Sequence, residues 1–444
     1  MRYACAAFVI AASAVLPGGC GGGEEFDLVI MSPHDEKITQ EFTQAFSEVF
    51  RKAKGRDVRI SWRDIGGGTE TQLRFVLDQF AKKPDGIDVD IFFGGGIDPF
   101  EKMKAKGLLV SYQPPVPDAI PPMLGGVPIY DAEKQWHGTV LTAFGILYNK
   151  DVLKRLGVDE PKTWEDMANP KLMGYVGLAD PSRSGSAQAI YEMILQAYGW
   201  DKGMRVLTVM SGNALDFYQG SSSLSKDVTK GELAMGPAVD YYGWTQVAQG
   251  GAGRIGYVVP QDLTVVTPDP IGILKGAPNI ETAKMFVDFV MSEEGQRLWF
   301  LKAGTPGGPK KYNLMRMPIL PGIYGRCDRA AWTVNANPYE FKGSFSFDPG
   351  LGGKRRDVVI ELMKSTLIKP QGDLRACWKA VRAAGAPDAL VAKMVRPPIT
   401  EAECLALPAG GWDKQDFRAR TTTEWVNFAV KKYADVKREA ESPK

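Results

Sequence analysis

The stretch VGLADPSRSGSAQAIYEMILQAYG, residues 176–199, sets an apolar run, a polar turn and a second apolar run of different period side by side. The first run has strand composition, the turn holds three serines in five residues (Ser182, Ser184 and Ser186), and the last run carries its apolar residues at helical spacing. It reads as a strand–turn–helix step. Hydroxyls stand where a helix leaves its first N–H groups without intrahelical partners.

Serines in such a turn invite a hydrolase reading, and the rest of the chain argues against it. Only two histidines, His34 and His137, are available to serve as a base, and no G-x-S-x-G elbow exists. Ser223 and Lys226 match S-x-x-K, yet no K-T-G follows. Two histidines also exclude a multi-histidine zinc site.

The same alternation recurs along the chain. EKITQEFTQAFSEVFRKAKG (36–55) places Ile38, Phe42, Phe46, Val49 and Phe50 on one helical face, and VRISW (58–62) follows as a buried strand. TETQLRFVLDQFAKK (69–83) repeats the helix with Leu73, Val76, Leu77 and Phe80, followed by the strand DVDIFF (88–93) and the helix DPFEKMKAKG (98–107). Alternating strands and helices predict an α/β fold, a mostly parallel sheet covered on both faces.

Two long β-like stretches, HGTVLTAFGILYN (137–149) and LTVVTPDPIGILKG (263–276), bracket a second αβ region, as a two-lobed protein with a hinge requires. QPPVPDAIPP (113–122), with five prolines in ten residues, is a surface loop. NIETAKMFVDFVMSEEGQRLWFLKAG (279–304) reads as one amphipathic helix packing back on the first lobe. Residues 26–140 with 267–325 form lobe 1, residues 141–266 form lobe 2, and residues 326–444 form a helical C-terminal extension.

Composition sets outer limits. With 54 basic and 52 acidic residues among 444, the net charge of +2 gives no electrostatic support for a nucleic-acid partner. Arg2 followed by YACAAFVIAASAVL (3–16) and PGGC (17–20) is an export signal too short for a permanent transmembrane helix. Cys20, trailed by GGGEE, resembles the lipidated cysteine of bacterial lipoproteins, so residues 1–19 would be removed and a lipid would anchor the chain to the extracytoplasmic face of a membrane. Cys327, Cys377 and Cys404 then remain for an oxidising compartment, an odd number. One pair, Cys377 with Cys404, and one free thiol are expected.

Three strand-to-helix turns could carry a ligand: DIGGGTETQL (64–73), FFGGGIDPF (92–100) and LADPSRSGSAQ (178–188). Each puts glycine or serine at a helix N-terminus, where free N–H groups and the helix dipole favour an anionic or polar ligand, or where they simply cap the helix. None has the spacing of a nucleotide motif. In MGPAVDYYGWTQ (235–246) a strand ending in Asp240, Tyr241 and Tyr242 would offer a carboxylate and phenols at a cleft edge, or packing.

Taken in order, SPHDEKITQEF (32–42), GGGTETQLR (66–74), DVDIFFGGG (88–96), TWEDMANPKLMGYVGLADPSRSGSAQ (163–188), GELAMGPAVDYYGW (231–244) and NIETAKMFVDFVMSEEGQ (279–296) resemble the solute-binding components of bacterial ABC importers, in the branch that includes the ferric-ion-binding proteins. The resemblance covers about 28 to 310. It implies a type II periplasmic-binding-protein fold: two α/β lobes joined by hinge strands and closing on a small ligand that is passed to a membrane permease with its ATPase.

No catalysis and no required cofactor are implied. In the ferric branch a histidine, an acidic residue and two adjacent tyrosines hold the metal with an anion, and His34, Glu70, Tyr241 and Tyr242 match those positions, a donor set suited to Fe(III) as cargo. Asp240, directly before the tyrosines, departs from that pattern, and other members grip phosphonates, sugar phosphates, thiamine or polyamines with the same loops. The expected ligand residues are Ser32, His34, Gly68, Thr69 and Gly95 from lobe 1, and Ser182, Ser184, Gly185, Ser186, Asp240 and Tyr242 from lobe 2. An exported hydrolase using the same cleft is the competing class, and a structural lipoprotein a third.

Overall fold

A computed structural model describes residues 26–63, 65–66, 68–341 and 345–442. The export signal and Cys20 lie outside the described residues, and among the latter no helix is long and apolar enough to cross a membrane.

Lobe 1 opens with β1 (Leu28–Met31), α1 (Glu36–Lys54), β2 (Ile60–Arg63), α2 (Thr69–Lys82), β3 (Ile91–Phe93) and α3 (Ile97–Ala105). The local reasons are those of the sequence. Asp35 caps α1 by accepting from the Ile38 N–H at 3.2 Å, Ile38, Phe42, Phe46 and Phe50 bury one face, and Gly55 ends the helix in the left-handed conformation. β1 pairs in parallel with β2 and β3.

β4 (His137–Asn149) then crosses into lobe 2, buried along its whole length. There follow β5 (Val176–Ala179), α4 (Gly185–Tyr198), α5 (Trp200–Asn213), β6 (Ala214–Tyr218), α6 (Ser221–Lys230), β7 (Met235–Val239), α7 (Asp240–Gly250) and β8 (Ile255–Val258), before β9 (Val266–Leu274) returns to lobe 1. The strands run β2-β1-β3-β9-β4-β7-β5-β6, with β8 also on β4. In this sheet β1, β2 and β3 are parallel, as are β7, β5 and β6, and its antiparallel pairs are those made by the crossing strands.

The crossing has a sharp handover. β4 pairs with β9 from His137 to Ala143 and with β7 from Phe144 to Tyr148. One continuous strand thus belongs to both lobes, and its change of partner marks where one can turn on the other.

Lobe 1 is completed by α8 (Ile280–Met291) and α9 (Glu293–Phe300). The single helix expected over this stretch is two, because Ser292 turns extended and caps the second by accepting from the Gly295 N–H. Ala283, Phe286, Val287 and Val290 pack with Leu28, Ile30, Phe42 and Phe46 in the lobe 1 core. Glu41, buried on α1, takes the backbone N–H groups of Lys310, Lys311 and Tyr312 at 2.7 Å each, which ties the following loop to the lobe. The proline-rich loop forms no regular element and covers a cavity of about 180 Å³ in lobe 1, lined by Val116, Ile120, Ile129, Met291 and Ile319 among others.

The extension contains α10 (Pro349–Met363), α11 (Gln371–Ala383), α12 (Asp388–Val395), α13 (Glu401–Ala406) and α14 (Gln415–Glu441). It adds a helical layer to lobe 2: Val358, Leu362, Trp378 and Trp425 share one apolar cluster with Ile190, Ile194, Leu207 and Met210, and the Trp378 indole donates to Asn213 at 2.7 Å.

The expected disulfide is corrected by this layer. Cys327, Cys377 and Cys404 are all free, and Cys377 and Cys404 are buried on different helices, α11 and α13. Burial pushes their thiols up to about 11 and about 12, where they behave as small apolar groups. Thiol titration of a chain beginning at residue 26 should therefore count three reactive cysteines in denaturant. A single reactive thiol under those conditions would instead establish one disulfide among the three.

Candidate functional site

Parallel strands place the C-terminal ends of β1, β2 and β3 at one edge of lobe 1, and those of β5 and β7 at one edge of lobe 2. The helices α2, α3, α4 and α7 begin there. Thr69, Ile97, Gly185 and Asp240 are their first residues.

In lobe 1 the turns interlock through glycine. Gly94, Gly95 and Gly96 all have positive φ, which an L side chain rarely adopts. A Cβ on Gly94 would lie 2.7 Å from His34 Nε2, and one on Gly95 would lie 2.5 Å from the Thr69 methyl. The triple glycine thus lets the turns after β1, β2 and β3 meet.

Ser32 is structural: its hydroxyl donates to the Phe93 carbonyl at 2.7 Å and accepts from the His34 N–H. Gly68 is the exposed N-cap position of α2, its carbonyl accepting from Thr71 and Gln72. The His34 ring is almost wholly enclosed, packed edge-on to Phe93, with Nε2 3.2 Å from Asp269 Oδ2. Asp269 lies on β9, at the shift in register between Asp269 and Pro270. It also accepts from the Gly96 N–H at 3.0 Å and from Arg316 Nη2 at 2.8 Å. Burial opposes its charge, but the His34 hydrogen bond and the Arg316 charge outweigh that and hold its carboxyl far below the usual range.

Arg316 carries this network to lobe 2. Its side chain is 2% exposed, also donates to the Thr142 hydroxyl on β4, and lies 4.4 Å from the centre of the Tyr241 ring. The N-termini of α3 and α7, one from each lobe, are therefore linked through Asp269 and Arg316.

Asp240, expected at a strand end, is instead the first residue of α7, and its carboxylate turns inward. Oδ2 accepts from the Ala143 N–H at 2.8 Å and Oδ1 from the Tyr241 N–H at 2.7 Å, so it fastens β4 at the handover between lobes. Burial pushes its carboxyl up to about 7, against the pull of Arg316. The rings of Tyr241 and Tyr242 are tilted at 37° to each other with their centres 4.1 Å apart.

The serine turn is organised around its own carboxylate. Ser182 is exposed and donates through both N–H and hydroxyl to Asp180. Ser184 is the N-cap of α4, accepting from the Ala187 N–H, and its hydroxyl lies 3.0 Å from that of Ser186. Gly185 opens the helix on the exposed side.

The donor set matched to a ferric centre is engaged otherwise. His34 is held by Asp269, and Glu70 lies 2.6 Å from Arg356 Nη2. Among the described residues no group of three or more His, Cys, Asp or Glu is placed to hold a metal ion. Sequence reasoning missed Asp269, Arg316 and Arg356. Asp269 carried a signal, a charged residue between prolines in an otherwise apolar strand. Arg316 and Arg356 lie in loop and helix sequence of no special pattern.

Two α/β lobes, two shared crossing strands and helix N-termini gathered at the cleft define a two-lobed receptor of the type II periplasmic-binding-protein fold. The chain belongs to the bacterial extracellular solute-binding proteins, whose family pattern matches residues 88–318.

An uncharacterised protein of Haemophilus influenzae is 28% identical over 278 residues, 61% of this chain and 74% of the relative. The phosphoglycerate transport regulatory protein PgtC of Salmonella typhimurium is 25% identical over 191 residues, and the chain spans 47% of its length, with 40% of this chain aligned. The periplasmic binding protein AfuA of Actinobacillus pleuropneumoniae, with exogenous fructose-6-phosphate bound, superposes with a TM-score of 0.52 at 26% identity, over 61% of this chain and 80% of AfuA.

Replacing Arg316 by Met should leave Asp269 buried without its cation and cost about 3–5 kcal/mol of stability. Urea denaturation measures it, and a loss below about 1 kcal/mol would remove Arg316 from its place as the link between the lobes.

Proposed function

We propose that this protein is the lipid-anchored, extracytoplasmic receptor of an ABC importer, capturing a phosphate-bearing organic solute between its lobes and handing it to the permease and ATPase without turning it over. One observation carries the ligand class: four helices, two from each lobe, begin at the C-terminal ends of the parallel strands, and the buried Arg316 links the starts of two of them, one from each lobe. Helix N-termini and a guanidinium are suited to a phosphate.

Thr69, Gly95 and Gly68 from lobe 1 and Ser184, Gly185, Ser186 and Tyr242 from lobe 2 supply hydroxyl and N–H groups around it. AfuA, with its bound sugar phosphate, and PgtC, named for phosphoglycerate transport, support the same class. Solute bridging the lobes favours the closed state by contacts that the open state lacks, and closure presents the surface a permease recognises.

Fe(III) with an anion remains the second reading, favoured by the adjacent Tyr241 and Tyr242. The test uses inorganic phosphate, fructose-6-phosphate, phosphoglycerate and Fe(III) citrate in a melting assay with native mass spectrometry. A phosphate ester at about 100 times its Kd should stabilise the protein by about 2.7 kcal/mol, and Thr69→Ala or Ser186→Ala should weaken that response. A protein coloured by iron, bleached in Tyr242→Phe and indifferent to phosphate esters, would overturn the organic-anion assignment.

The anchor has its own test. Radiolabelled palmitate should enter the wild-type chain in a bacterial host and fail to enter Cys20→Ala, and equal labelling of the two would move the lipid elsewhere.

A further inference from the structure

Residues 345–363, beyond the part matched to the family, touch both lobes. On the lobe 2 side Gln196 holds the backbone of Asp348 from two directions, accepting from its N–H at 2.8 Å and donating to its carbonyl at 3.0 Å. Arg355, fully buried, places Nε and Nη2 on the buried Glu192 at 2.9 to 3.2 Å. Val358, Val359, Leu362 and Met363 join the lobe 2 core.

On the lobe 1 side the Phe347 N–H donates to the Gly125 carbonyl at 3.2 Å. Arg356, the next residue of α10 after Arg355, places Nη1 on Asp98 and Nη2 on Glu70, 2.6 Å each. Neighbouring helix residues point about 100° apart, so a single turn of α10 can grip both lobes. Glu70 and Asp98 stand in the first turns of α2 and α3, where the helix dipoles favour carboxylates, and Lys102 completes the cluster at 2.9 Å from Asp98.

The two grips differ in strength for a physical reason. Arg355 and Glu192 are 0% and 1% exposed, and separating them would strand charges in the core. Arg356 is 12% exposed, but Glu70 and Asp98 are 35% and 45% exposed, so water and salt can replace that contact at small cost. Opening of the cleft therefore releases the lobe 1 grip and leaves α10 on lobe 2.

We propose that α10 is an intramolecular clasp: carried by lobe 2, it holds lobe 1 through Arg356 and biases the receptor towards its closed form before any solute arrives. This rests on the two-lobed receptor reading but not on the identity of the solute. A preformed closed state lowers the conformational cost that a solute must otherwise meet on binding.

Small-angle X-ray scattering of the solute-free protein at about 0.01 M and about 1 M salt tests it. Wild type should scatter as the closed form at low salt and expand at high salt. Arg356→Gln should be expanded at both, with an open fraction at least about threefold larger at low salt, and Arg356→Lys should recover part of the closure. Lys354→Gln, an exposed neighbour, should match wild type.

Glu70→Gln with Asp98→Asn removes the same contact from lobe 1 and carries the test if Arg356→Gln does not fold. Scattering of both sets of variants identical to wild type at both salts, or a wild type already open at low salt, would overturn the clasp. Failure of every phosphate probe to bind would overturn the solute assignment and leave this comparison unaffected.

Discussion

A single buried carboxylate, Asp269, holds the two lobes in register. It sits on one crossing strand and accepts from the backbone of Gly96, from Arg316 and from His34, which joins two turns of lobe 1 to a guanidinium packed on lobe 2. Asp240, at the start of α7, holds the other crossing strand, accepting from Ala143 where β4 exchanges β9 for β7. Charged groups are costly in such an interior unless their donors are fixed, so these contacts specify one geometry at the hinge.

That geometry decides what the cleft can offer. Helix N-termini from both lobes present partial positive charge, and the acidic residues nearest them are already neutralised or turned inward: Glu70 and Asp98 by Arg356 and Lys102, Asp240 by backbone N–H groups. The same neutralisation draws the C-terminal extension into lobe coupling, since Arg356 reaches Glu70 from a helix rooted in lobe 2.

Much of the fold was legible because it is written in local period. The faces of α1 and α2, the apolar crossing strands and the serine-capped start of α4 follow from spacing and capping chemistry within twenty residues of chain. Where reading failed, the deciding contact was distant. Ser292 divides α8 from α9 within a continuous amphipathic pattern, and Cys377 and Cys404 are kept apart by the helices that bury them. Ser182 and Ser184 were visible as donors, but that their hydroxyls serve Asp180 and the first turn of α4 depends on how the turn folds back.

The sequence by itself determined an alternating α/β chain with two shared strands and helix N-termini at the strand ends, because backbone hydrogen bonding and apolar burial impose periods that any reader can count. Only the tertiary structure decided which charges meet. Asp269 and Arg316 are 47 residues apart, His34 and Asp269 235, and Glu70 and Arg356 286, and no local pattern encodes a pairing that exists only once distant segments pack together.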